Sequence, residues 1–119
     1  MVVERVSLKP QTVSLYTETA LDRVDCMFHV SPWTEKHLQK AVGNCRGEHE
    51  AEKFESAISR ALIRAIRALT VEEQKQLKRH GAIITKTMPD VGNDRKFTFV
   101  LTAIRPNKLQ VRNLYVLGN

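Results

Sequence analysis

Little in this chain could staple it covalently or anchor it. Its two cysteines, Cys26 and Cys45, are too few for a disulfide scaffold in 119 residues, and so sparse a count points to a reducing compartment. A single Cys26–Cys45 bridge is the most the sequence allows. Five glycines and four prolines exclude a collagen-like or low-complexity chain. No apolar run approaches the roughly 18 residues a membrane span needs, and the opening MVVERVSLKP mixes acid and base where a signal peptide has an apolar stretch. The expectation is a cytoplasmic protein with no membrane partner. Catalytic signatures are also missing: there is no G-x-G-x-x-G, no G-K-S/T phosphate loop, no H-E-x-x-H and no G-x-S-x-G. No cofactor is implied, and a binding role is favoured over catalysis.

What is present is a hydrophobic content of 42% with 27% charged residues, ordinary values for a chain with a real core, so 1–119 reads as one compact domain. The net charge of +6 is unevenly spread. Residues 1–50 hold six Lys/Arg against seven Asp/Glu, whereas 51–119 hold thirteen against six. A basic second half suggests an anionic partner, nucleic acid or an acidic protein surface. A second copy of the chain is a further candidate partner.

The pattern along the chain predicts an α+β fold, with three or four helices packed on one face of a C-terminal antiparallel three-stranded meander and a short N-terminal strand or ribbon. VVERVSL and Thr12–Tyr16 alternate as strands. Leu21, Val24 and Phe28 recur at helical spacing and predict a helix over 20–29; Ser31-Pro32 starts another that runs to about Val42. A long helix occupies about 50–69. Thr70 and Glu73 form a capping box that opens the next helix, VEEQKQLKRH, which Gly81 ends. Ala82–Met88, Lys96–Ile104 and Leu109–Leu117 predict three strands. The links between them, PDVGND and RPNK, are too short for a parallel crossover. In RPNK, Pro106 and Asn107 suit the two corners of a type I turn. The apolar face of the last strand switches between Val111 and Leu114, which suggests a bulge near Asn113.

One stretch carries a core signal and a charge signal together. In AEKFESAISRALIRAIRALT, at about 100° per residue, Phe54, Ile58, Ala61, Leu62, Ala65 and Leu69 share one side while Lys53, Arg60, Arg64 and Arg67 gather nearly opposite. Arginine forks suit phosphate oxygens, so this stripe is the leading candidate anion site. The competing view is a solvated helix face with snorkelling stems. Lys75, Lys78 and Arg79 on the next helix, and Arg95, Lys96, Arg105, Lys108 and Arg112 around the hairpins, would extend the stripe if the fold gathers them on one side.

Other constellations are weaker. Cys26, His29, Cys45 and His49 offer two thiols and two imidazoles in the number a zinc ion takes, but their order is not that of zinc fingers and CMFHV reads as core. In RKFTFVL, Arg95, Phe97, Phe99 and Val100 resemble half of the base-stacking strand of RNA-recognition motifs, though a strand rather than a helix follows; core packing suits both phenylalanines better. Tightly joined helices before a hairpin also resemble a winged helix-turn-helix, with Gln74, Lys75, Lys78 and Arg79 as readers. A small toxin-type ribonuclease is the surviving enzymatic reading, with His80, Arg95, Arg112 and Tyr115 as its catalytic set. The leading expectation is a non-catalytic nucleic-acid-binding or regulatory accessory protein, and the alternative is an inhibitor or adaptor that engages an acidic protein surface or another protein's nucleic-acid site.

Overall fold

Alternation of apolar and polar side chains, the period of a strand with one buried face, governs five segments of the computed structural model, which describes residues 11–18, 23–28 and 48–118. They are β1 (Gln11–Tyr16), β2 (Arg23–Phe28), β3 (Ile83–Pro89), β4 (Lys96–Arg105) and β5 (Lys108–Leu117). They form one sheet in the order β1-β2-β5-β4-β3. Every neighbouring pair is antiparallel except β2 and β5, which run parallel through Asp25–Phe28 and Lys108–Val111. The two helices are α1 (Glu48–Arg67) and α2 (Val71–Gln76).

The helix-rich fold expected from the sequence is therefore overturned. Among the described residues there are two helices, and the sheet has five strands of mixed sense rather than three in a meander. The segment expected as a helix over 20–29 is strand β2. Val24 and Phe28 fit a helical period, but Val24, Cys26 and Phe28 also fit a period of two, and all three are buried on the sheet's inner face. Hydrogen-bonded neighbours on both sides, β1 and β5, decide the ambiguity, because a central strand satisfies all its backbone groups in ladders. The expected strand in VVERVSL and the expected helix from Pro32 to Val42 lie outside the described residues.

The three C-terminal strands and the long helix stand where the periodicity placed them. The bulge is there too: Val100 pairs with Asn113 and Leu101 with Val111, which leaves Arg112 as the extra residue and turns Val111 and Leu114 to the same side. The β4–β5 turn differs from expectation. Asn107 has φ 63°, and a positive φ at the second corner belongs to a type II turn, not type I. The expected helix to Gly81 also stops early, at Gln76. Its capping box forms as read: Glu73 N–H donates to Thr70 Oγ1 (3.1 Å), and Thr70 N–H donates to Glu73 Oε1 (3.0 Å).

α1 lies on the inner face of the sheet and touches both outer strands, β1 and β3, so the sheet curls about it. That curl explains the width of the helix's buried side, where Ala57, Ile58, Ala61, Leu62, Ala65 and Ile66 are at most 4% exposed. They share one apolar cluster with Phe97, Phe99 and Leu101 of β4 and with Leu109, Val111 and Leu114 of β5. Phe54 and Phe97 meet edge to face, 5.9 Å between centroids. Each large apolar side chain of this cluster contributes about 2 kcal/mol on burial. No helix among the described residues is long and apolar enough to cross a membrane.

The pairings set the two ends of the sheet apart. At the Gly92 end lie the β3–β4 turn, the end of β5 and Phe54 in the first half of α1. At the Pro106 end lie the β4–β5 turn, the end of β1, the start of β2 and the last residues of α1.

Candidate polyanion-binding surface

Because one side of α1 is consumed by the sheet, the opposite side must face away from it. Lys53, Arg60 and Arg67 are exposed there, and no ion pair with another described residue engages them. At about 1.5 Å rise per residue, Arg60 and Arg67 stand about 10 Å apart along the axis and Lys53 extends the row to about 21 Å. Arg64, in the same row, is half-buried: its Nη2 donates to the Pro89 carbonyl (2.7 Å) at the end of β3. Arg64 and Arg67 also sit in the last turn, where cations complement the helix dipole. Lys53 and Arg60 lie too far from that terminus for the dipole to account for them.

The remaining basic residues divide between the two ends. Arg95 is absorbed by the protein itself. Its Nε donates to Asp90 Oδ2 (2.5 Å), and its guanidinium carbon lies 4.6 Å from the Phe54 ring centroid and 5.8 Å from that of Phe97. Asp90 is 4% exposed and also takes the Asn93 amide at 3.2 Å, so the pair closes the β3–β4 turn over the core edge. Lys96 is exposed beside it. Arg105 and Lys108 are exposed at the other end of β4, about 30 Å away at the usual strand rise. Gly81 N–H donates to the Ala103 carbonyl (2.8 Å), which holds exposed Arg79 and His80 near that Pro106 end. Lys75 and Lys78 are exposed on and just after α2. Arg112, in the bulge, projects from the sheet's outer side. The fold thus does not join all twelve basic residues into one surface: Arg95 is lost to it, and Lys96 and Arg105 stand at opposite ends.

Lys86 points inward rather than joining any basic patch. Its Nζ meets Glu73 Oε1 (2.5 Å) and donates to the Ala68 carbonyl (3.1 Å) at the end of α1. Partial burial pushes the Glu73 carboxyl up, but Lys86 and the two Thr70 groups outweigh it and hold the carboxyl below its usual range.

The end of the arginine row is fixed to β1. Glu18 N–H donates to the Arg67 carbonyl (2.9 Å), and buried Thr17 donates through Oγ1 to Gln74 Oε1 (3.0 Å). Tyr16, immediately before, is 62% exposed. Its partner across the hairpin is Arg23, whose Nε donates to Ser14 Oγ (2.9 Å). Neither Tyr16 nor Arg23 stood out in the sequence as a site residue. The available signal was the alternation that sends Val13 and Leu15 inward and Tyr16 outward.

The other sequence candidates disperse. Cys26 lies fully buried in the core, and burial pushes its thiol up to about 12, unfavourable for the thiolate that zinc requires. His29 and Cys45 fall outside the described residues, as does the side chain of His49. Among the described residues no group of three or more His, Cys, Asp and Glu could hold a metal ion. Phe97 and Phe99 are fully buried, so they offer no face to a base. Gln74 is buried against Thr17 and α2 has only six residues, which removes the groove-reading helix. Of the proposed ribonuclease set, His80 lies toward the Pro106 end and Arg95 at the Gly92 end, about 25 Å apart along β4. No protein-family model matches the chain, and neither the curated proteins nor the solved structures give a significant match.

Proposed function

We propose that this protein is a small non-catalytic nucleic-acid-binding or accessory protein that holds phosphates on the outward face of α1. The observation that carries this reading is the exposure of Lys53, Arg60 and Arg67 in one row, on a helix whose other side is sealed by the sheet. A row of three fixed cations about 21 Å long matches a linear polyanion better than a compact one. Arg64 adds positive potential from its anchored position at Pro89.

Binding through three phosphates implies a log–log salt slope of about −2.7 on duplex and about −2.1 on a single strand. The test is a salt titration of labelled oligonucleotides by fluorescence anisotropy, with wild type and with Arg60→Glu/Arg67→Glu. Wild type binds at low salt with such a slope, and the double variant loses at least tenfold in affinity while its melting curve stays unchanged. Absence of binding at low salt removes nucleic acid and leaves an acidic protein surface as the partner. Binding that ignores the double variant moves the site to the Pro106 end.

A further inference from the structure

Resting on the nucleic-acid reading of α1, we infer that the ligand is single-stranded and that Tyr16 stacks one of its bases where the arginine row ends. Tyr16 cannot turn inward, because Leu15 before it packs against the core and Thr17 after it is buried and bonded to Gln74. Its ring stands in solvent, 62% exposed, on a strand end fixed to the last arginine of the row by the Glu18–Arg67 backbone bond. Arg23 lies directly across the hairpin, and its bond to Ser14 keeps the guanidinium on the outer face with the ring.

The chemistry separates the two kinds of strand. A duplex keeps its base faces stacked on one another and offers a protein its backbone and groove edges. A single strand exposes base faces, and an aromatic ring beside a cationic track is the usual way to hold them. Among the described residues of the β1–β2 hairpin, the opposing charges are exposed Glu18 and Asp25, which takes the Ser14 hydroxyl. Glu18 keeps phosphates on the Arg67 side, so the backbone follows α1 while a base swings across the strand end onto Tyr16.

The experiment uses the full chain with a labelled oligo-dT and a labelled hairpin duplex, compared for wild type, Tyr16→Ala and Tyr16→Phe. Tyr16→Ala weakens oligo-dT binding about tenfold, within the range for one base stacked on an aromatic ring. It leaves the salt slope and the duplex affinity unchanged, and Tyr16→Phe binds as wild type does. Equal affinity of Tyr16→Ala and wild type for oligo-dT overturns the inference, as does an equal loss on the duplex. If that happens while Arg60→Glu/Arg67→Glu still abolishes binding, the phosphate row stands and the stacking role falls. If wild type binds neither oligonucleotide, both fall together. Far-ultraviolet circular dichroism confirms that each variant is folded, as expected for a change at an exposed side chain.

Discussion

The two turns that bound β4 use arginine in opposite ways. At the Gly92 end Arg95 is pinned between Asp90 and two phenylalanine rings, and its charge is spent inside the molecule. At the Pro106 end Arg105 and Lys108 stand in solvent on either side of a type II corner. A count of basic residues treats them alike, yet Arg105 and Lys108 are open to a ligand and Arg95 is not. The same contrast runs along α1, where Arg64 is tied to Pro89 and Arg60 is not.

The contrast can be broken most sharply at Arg95. Arg95→Ala leaves Asp90 buried without its counter-charge and strips a cation from two rings, so the protein should lose about 3 kcal/mol in a urea titration. Oligonucleotide affinity per folded molecule should not change; a loss of affinity without a loss of stability would return Arg95 to the surface. At the other turn Asn107→Ala should cost about 1 kcal/mol, because alanine resists the left-handed backbone that Asn107 adopts there. Asn107→Gly should cost nothing measurable by thermal melting.

Between the two ends, the partly buried Glu73–Lys86 pair should be worth roughly 0.5 kcal/mol once solvent screening is allowed for. Its pH dependence has a definite sign. A carboxyl held below its usual value of 4.5 stabilises the fold above that pH, and the contribution disappears as pH falls below it. Glu73→Gln should therefore be less stable than wild type at pH 7, and the difference should shrink as pH falls below 4.5. Smallest of all, Arg105→Ala should shift stability by less than about 0.5 kcal/mol, since its side chain is exposed at a turn.

Periodicity made the long helix and the last three strands legible, because each is long and keeps one period throughout. β2 was not, since six residues satisfy two periods at once and its identity depends on a partner more than 80 residues away. No local rule reveals a parallel pairing across that distance. For the site, the 3.6-residue period was enough to show that Lys53, Arg60 and Arg67 face away from the core. The loss of Arg95 was hidden, because it needs the β3–β4 turn to fold Asp90 back beneath it and α1 to bring Phe54 alongside. Tyr16 was visible as an outward residue, but its position at the end of the row follows from the Glu18–Arg67 bond, which joins segments about fifty residues apart.

β5 lies in the middle of the sheet and is also the last of the five strands to leave the ribosome. Until it arrives, the β1–β2 hairpin lacks the strand it pairs with and β4 has a bare flank, so the two halves of the sheet wait for one ten-residue segment to join them. A nascent chain halted before Lys108 should therefore be open to protease at both halves, and full resistance should appear in a single step once residues 108–117 are free to insert.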